Sequence, residues 1–345
     1  MTSSEFALDA NIPFLSDTLD PQQARTQLQP LFPNLRAVTA ATLVRHKPGR
    51  RALIEYQLDT PDGPLTLLGK IRAKGTDWNS YSVQQALWNQ GFAADSPDGC
   101  SVPEPLGVIA TWQMGLQRQV PGLPATDAIP TADGVLLARR IATLAYKLHH
   151  TPVPTAKTHT LGDELRILHE RLPLVAHRHP QWSMRIDRIL QACDQLAFPH
   201  LPISLSFHLP RTIHRDFYPD QILVDRDRLW LVDLDLLCQG DPALDIGNFI
   251  AHITEQSLRQ IGDPSAMEAQ EVALRETFVQ AWMTELESSD PARDENHLRL
   301  AIARYTWLSL VRHIHISTRI PSRRHLTEAI LTLCEARWHK IVDSR

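Results

Sequence analysis

The stretch 212–247 holds His214, Asp216, Gln221, Asp233, Asp235, Asp241 and Asp245. The run HRDFYPDQ puts a carboxylate, Asp216, shortly after His214 and an amide, Gln221, further along the same loop. Ile222-Leu223-Val224, a polar turn at Asp225-Arg226-Asp227-Arg228 and the returning LWLVD predict a β-hairpin. That hairpin sets Gln221 at the start of one strand and Asp233 at the end of its partner, so both oxygens face one cation. Oxygen donors suit magnesium. Asp216, on the loop that carries Gln221, is positioned to accept the proton of an incoming hydroxyl and orient it for in-line attack. His214 reads as a brace for the loop. Asp241 and Asp245 read as caps of a helix starting at Ile246 that also fix the loop. Asp235 alternates with Asp233 and reads either as a supporting group or as a solvated one. One base, two metal ligands and a scaffold to hold them are what phosphoryl transfer requires.

The elements that must position these groups change character along the chain. Asp20-Pro21 predicts a helix start, with Asp as N-cap and Pro at the first helical position, and a helix to about Leu31. Residues 1–18 read as a loosely tied arm. Alternating apolar and β-branched residues over 37–74, with turns at Lys47-Pro48-Gly49-Arg50 and Pro61-Asp62-Gly63-Pro64, predict three antiparallel strands. A helix over 78–90, an exposed loop at 94–101 and two strands over 102–113 and 114–120 follow. Pro121-Gly122-Leu123-Pro124 marks a boundary. Helices are then expected over 132–150, with an apolar stripe of Leu136, Leu137, Ile141, Leu144, Ala145 and Leu148, and over 161–172 and 182–196. A connection spans 199–210. Beyond the chemical stretch, helices are expected over 246–260, 266–287, 295–316 and 325–342. The domain reading is an N-terminal arm and helix (1–35), a sheet-rich lobe (36–121) and a mainly helical lobe (122–345).

Bulk properties narrow the function classes. A chain of 345 residues accommodates two cores. The formal net charge of -4 gives no basic footprint, so nucleic acid is not an expected partner. No long apolar run predicts a membrane span, and the N-terminus lacks the pattern of a secretory signal. Cys100, Cys193, Cys238 and Cys334 are widely spaced and suggest neither a disulfide framework nor a zinc site, which fits a cytoplasmic protein. His177 and His179, and His313 and His315, are spaced i, i+2, which does not share a helix face, and read as structural, as do His149 and His150 at a helix end. His252 reads as an interior helical residue at the border of the chemical stretch.

The ordered motifs HRDFYPDQ, the strand ending in Asp233 and GDPALD (Gly240–Asp245) resemble those of the aminoglycoside phosphotransferase and choline kinase-like group, relatives of the protein kinases. The resemblance covers most of residues 35–345. It implies an α+β, two-lobed protein kinase-like fold, with a small antiparallel β lobe followed by a larger helical one and nucleotide bound between them. It also implies ATP and Mg2+ as cofactors, Asp216 as catalytic base, and Gln221 and Asp233 as metal ligands. Lys70 would hold the α/β-phosphates, the turn 46–50 would cover the phosphates, and the backbone of Arg118, Gln119 and Val120 would bond adenine. Two positions depart from the family pattern. Gln221 stands where Asn is usual, as it does in bacterial maltokinases. The helix after the lysine strand has no Glu to pair with Lys70, which leaves Gln84 or Gln85 as a neutral partner. The implied activity is transfer of the γ-phosphoryl group to a hydroxyl of a sugar, amino alcohol, antibiotic or natural-product intermediate. Acidic residues do not cluster beyond the motif, which favours a sugar or another neutral hydroxyl compound. The Arg-rich run 319–324 reads as a solvated loop or, alternatively, an anion contact. A nucleotide-binding pseudokinase with a regulatory role is the other reading that these departures leave open.

Overall fold

The computed structural model describes residues 9–196, 211–285 and 290–343; the expected connection at 199–210 lies outside them. In chain order the elements begin with α1 (Leu15–Thr18), α2 (Pro21–Leu28), β1 (Ala37–Lys47), β2 (Arg51–Thr60), β3 (Gly63–Arg72), α3 (Trp78–Leu87), β4 (Cys100–Ser101), β5 (Pro105–Ile109) and β6 (Met114–Arg118). There follow β7 (Leu123–Pro124), α4 (Ala125–Ala128), α5 (Gly134–His150), α6 (Leu161–Arg178), α7 (Ser183–Gln195), β8 (Arg211–Ile213), β9 (Ile222–Asp225), β10 (Arg228–Leu231) and β11 (Cys238–Gly240). The chain ends in α8 (Pro242–Ile261), α9 (Glu268–Glu285), α10 (Pro291–Arg319) and α11 (Thr327–Asp343). These group into two compact units. One takes 1–122 with 225–235, and the other takes 123–224 with 236–345.

The first unit is built on a five-stranded antiparallel sheet of order β1-β2-β3-β6-β5. Period-two alternation drives one face of it into the core. Ala52, Ile54, Tyr56 and Leu58 of β2 are buried, as are Leu67 and Ile71 of β3. The same alternation turns Lys70 and Arg72 to the opposite face of β3. From residue 9 onward the N-terminal segment is not a separate arm. Ile12, Leu15, Ala24 and Leu28 are buried in the same core as the strands, and the Tyr56 hydroxyl donates to Thr18 O at 2.9 Å. Asp20 caps α2 as its sequence suggests, accepting from Gln22 N and Gln23 N.

The loop 94–101, expected to be exposed, is a docking place. Ser96, Cys100 and Ser101 are buried, and β4 pairs in parallel with β10. Arg228 Nη1 donates to Ser101 Oγ at 2.6 Å, and Leu229 N donates to Gly99 O at 2.7 Å. Gly99 sits at φ +71°, and a Cβ there would meet Asp227 O at 2.4 Å, so this close approach needs glycine. The docking draws 225–235 out of its sequence neighbourhood and into the first unit.

The second unit is helical, with the small antiparallel pair β8/β11 and the pair β7/β9. Leu137, Ile141, Leu144, Ala145 and Leu148 bury the apolar face of α5, whereas Leu136, expected in that stripe, is 61% exposed. Helix α6 runs six residues past its expected end at 172, through Pro173. Leu172 and Val175 are both buried, so the packed face continues across the proline, whose exposed side tolerates the lost backbone bond. Helix α8 begins at Pro242 rather than 246, because Asp241 is its N-cap, accepting from Ala243 N at 2.9 Å. Asp245 therefore lies within the first turn of α8, not ahead of it. No helix among the described residues is long and apolar enough to cross a membrane. The four cysteines are buried and form no disulfide.

Two stability predictions follow from α8. A Cβ on Gly247 would lie 2.6 Å from Thr306 N and 2.7 Å from Tyr305 Cβ on α10. Backbone cannot yield as a flexible side chain does, so Gly247→Ala is expected to cost about 1–3 kcal/mol in urea unfolding. The Asp241 carboxyl is pushed up to about 6, first by burial and also by Asp245, against the lowering effect of its bonds to Ala243 N and Tyr305. An acid whose folded-state pKa is raised binds more protons folded than unfolded, so stability falls as pH rises from about 4 to about 6. Asn caps as well as Asp. Asp241→Asn should therefore stabilise the protein by on the order of 1–2 kcal/mol at pH 7.5, with the gain vanishing below about pH 4. A pH series of melting curves checks both sign and window.

Candidate active site

In the first unit, the groups expected to handle phosphates meet on the outward face of β3. Lys70 Nζ donates to Asp233 Oδ1 at 2.7 Å and also bonds Asp235. Arg72 pairs with the same Asp235 and, at 3.0 Å, with Asp77. Asp77 is the N-cap of α3, accepting from Ser80 N. Burial alone would raise the Asp235 carboxyl, but the Lys70 ammonium, its hydrogen bonds and Arg72 outweigh that and hold it well below the usual carboxylate range. Asp235 is thus an ion-pair centre rather than a solvated side chain. The strand β10 stops at Leu231, two residues before the expected end, and Asp233 takes φ 57°, a left-handed conformation uncommon for a non-glycine residue.

Gln84 and Gln85 do not serve as partners of Lys70. Gln84 Nε2 donates to Pro103 O at 2.7 Å, and Gln85 Nε2 to Asn89 Oδ1 at 3.3 Å. The missing helix Glu is replaced by the two carboxylates after β10. At the β1–β2 turn, Asp9 Oδ2 accepts from Gly49 N and meets His46 Nε2, each at 2.8 Å. Lys47 lies opposite Arg51, which leads burial, Arg45 and Arg50 in lowering its ammonium. Like charges held this close favour an anion between them. Arg118 N donates to Glu104 O at 2.9 Å and Gln119 N to Thr66 O at 3.0 Å. Two of the three N–H groups expected near adenine are therefore committed to backbone carbonyls within the first unit.

In the second unit, helix α8 grips the loop that carries Asp216. Asp245, fully buried, accepts from His214 N and Arg215 N, each at 2.7 Å, and its Oδ2 lies 3.0 Å from His149 Nε2. Arg215 takes φ 71°, and the bend lets two consecutive N–H groups converge on one carboxylate. Three residues on, Asn248, also fully buried, donates to Phe217 O at 2.9 Å and accepts from Arg312. A further turn along, His252 stacks on Tyr218 with ring centroids 4.4 Å apart. Positions 245, 248 and 252 share one helical face, so a single stripe of α8 holds the loop on both sides of Asp216. His214 is buried, with its ring edge-on to Phe217. Gln221 is 7% exposed at the start of β9.

Asp216 lines a cavity of about 350 Å³. Tyr218, His252, Gln256, Arg259 and Arg323 contribute to its wall. His252 and His313 meet edge to face at 4.4 Å. Burial, followed by Arg312, Arg323 and Arg259, brings His313 down to about 3, and His252 is lowered in the same direction by burial, His313 and those arginines.

Asn248, His149 and Arg312 were missed as site residues. A polar stripe at 245, 248 and 252 within the apolar run of α8 was the available signal, since buried polar groups on a helix need a partner. His149 was read as a helix-end cation but instead bonds Asp245. Among the described residues no three His, Cys, Asp or Glu side chains stand together as a metal cage.

The chain matches the profile of the phosphotransferase enzyme family over residues 55–297. No match is found among curated proteins. Among solved structures, a choline kinase from Cryptosporidium parvum superposes with a TM-score of 0.57 at 12% identity, covering 90% of this chain and 91% of that one. A spectinomycin phosphotransferase in complex with ADP and spectinomycin gives 0.56 at 11%, covering 92% and 98%. An ethanolamine kinase from Plasmodium vivax gives 0.55 at 12%, covering 90% and 85%. At these identities the likeness is one of fold, and the fold is the protein kinase-like α+β arrangement expected above. The profile spans well over half of the sequence, from the second strand into α10, and the chain belongs to the phosphotransferase enzyme family.

Proposed function

We propose that the protein is a small-molecule O-phosphotransferase that moves the γ-phosphoryl group of ATP to a hydroxyl, with magnesium. The observation that carries this reading is the grip of α8 on the Asp216 loop, which holds that carboxylate at the wall of a cavity. A base so fixed needs little reorganisation to accept a hydroxyl proton, and positioning supplies most of the catalysis in phosphoryl transfer.

Lys70 would bind the donor phosphates, helped by the cationic turn at Lys47, Arg50 and Arg51. The oxygen donors present suit magnesium, which takes one or two carboxylates beside substrate phosphates rather than a cage of its own. Asp233 supplies a carboxylate set off its strand by the left-handed backbone, and Gln221 an amide oxygen. When bound, magnesium neutralises charge on the transferring phosphates. Asp235 and Asp233 hold Lys70 on the outward face of β3, and Asp9 holds the turn at Gly49. The anchoring of Lys70 by two carboxylates supports the enzyme reading over a pseudokinase, for which the absent helix Glu and Gln221 were the motives.

Two substitutions test this. Asp216→Asn should lower kcat by about 10²–10⁴-fold while leaving ATP binding within about twofold, as loss of a general base does. Lys70→Met should weaken ATP binding and lower kcat/KM by about 10²-fold, measured by coupled ADP release over a library of hydroxyl compounds. If Asp216→Asn turns over as fast as the parent, or if ATP binds but no hydroxyl in the library accepts the phosphoryl group, the proposal fails in favour of a regulatory nucleotide-binding protein.

A further inference from the structure

The cavity beside Asp216 carries charge that the transfer step does not use. Along α8, His252, Glu255, Gln256 and Arg259 fall at helical spacing on the cavity wall, and Arg323 joins them from the turn Pro321–Leu326. Glu255 is 3% exposed, and both arginines share it. Arg259 Nε lies 3.2 Å from its Oε1, and Arg323 Nη1 lies 3.5 Å from the same atom. Two guanidinium groups thus converge on one carboxylate, through one edge of each fork. A third, Arg312, also lines the cavity but is committed to Glu164 and Asn248. The remaining acid on the wall besides Asp216 is Asp220, which accepts the Thr126 hydroxyl. The two imidazoles at this end, His252 and His313, stay neutral under burial and the arginine field, so they add no charge of their own.

This end of the cavity is ill suited to a cation. Its one buried acid is already shared between two arginines, and an incoming ammonium would meet their field. A carboxylate or phosphate, by contrast, is met by two guanidinium forks with donors to spare, the geometry that planar and tetrahedral anions favour. We propose that the phosphoryl acceptor is an anionic hydroxyl compound, whose carboxylate or phosphate is bound by Arg259 and Arg323 while its hydroxyl meets Asp216. This rests on the kinase reading of Asp216. From His252, beside the loop, to Arg259 is two helical turns, about 10 Å. The hydroxyl and the anion must therefore stand several bonds apart, as they do across a hexose-sized molecule.

Matched probes on the full chain test it. Glucose (neutral), glucosamine (cationic), gluconate (carboxylate) and glucose 6-phosphate (phosphate) differ mainly in charge and are compared by calorimetry with saturating ADP and magnesium, and as acceptors with ATP. At least one anionic probe is expected to bind ten times or more tighter than glucose, with glucosamine weakest, and to lose that advantage in Arg323→Gln and in Arg259→Gln. Glu255→Gln removes the competing carboxylate and should strengthen anion binding severalfold. This change of opposite sign would not arise from misfolding, and melting curves of each variant register folding separately. Which anion wins distinguishes a sugar acid from a sugar phosphate as the acceptor class. Should glucose or glucosamine be phosphorylated as well by Arg323→Gln as by the parent, the kinase reading stands and the anionic acceptor falls. Anion binding that needs Arg323, with no transfer to any probe and no effect of Asp216→Asn, keeps the anion site and sinks the kinase reading. If neither anionic probe binds, and inorganic phosphate does not raise the melting temperature of the parent above that of the arginine variants, the proposal is overturned.

Discussion

Asp245 is a carboxylate with no access to water, and the second unit's chemistry is arranged around satisfying it. A buried charge of this kind costs several kcal/mol unless its oxygens are bonded. Here the bonds come from two consecutive backbone N–H groups of the loop and from His149. The loop cannot move away without leaving the charge unsolvated, so the cost of burial becomes a restraint on the residue between the anchors. Asn248 adds a second restraint one helical turn later by holding the carbonyl of Phe217. The residues that flank Asp216 are therefore determined by a helix whose own position is set by close packing at Gly247 against α10.

The first unit solves a related problem with half-buried charges. Strand alternation sends Lys70 and Arg72 to the same face, and the carboxylates that meet them come from the segment after β10. Asp235 serves both cations, so the two long side chains are ordered by one acid. In a protein kinase-like fold the lysine is expected to pair with a helix Glu. In this chain the helix instead contributes its cap, Asp77, to Arg72.

Much of this was legible in the sequence. Period-two alternation gave away the strands from 37 to 72, Asp20-Pro21 announced α2, and the carboxylate spacing marked the loop and the residue after β10. What escaped reading has physical reasons. The burial of Ile12 and Leu15 depends on contacts with strands far along the chain, which no local pattern records. Pro173 signals a stop, but a proline with its ring toward solvent loses only one backbone bond, and the buried Leu172 and Val175 outweigh it. The partners of Lys70 were sought in the next helix because the family pattern places a Glu there, whereas the acids arrive from more than 160 residues away. Asn248 and Arg312 look like ordinary helical residues until their partners are known. The committed N–H groups of Arg118 and Gln119 follow from strand register, which spacing alone does not fix.

The pairing of β10 with β4 has a consequence for the chain as a heritable object. The first unit is not a continuous stretch of sequence: 1–122 contains Lys70, while the carboxylates that hold it are encoded in 225–235. A gene fragment ending at Gly122 would specify a sheet whose lysine lacks its acids, and a fragment starting at Leu123 would carry those acids with no strand β4 to receive them. Neither unit can be borrowed, duplicated or lost by a single cut. Recombination that preserves the ion pairs of Lys70 must transfer both segments together, which ties the two units into one evolutionary module.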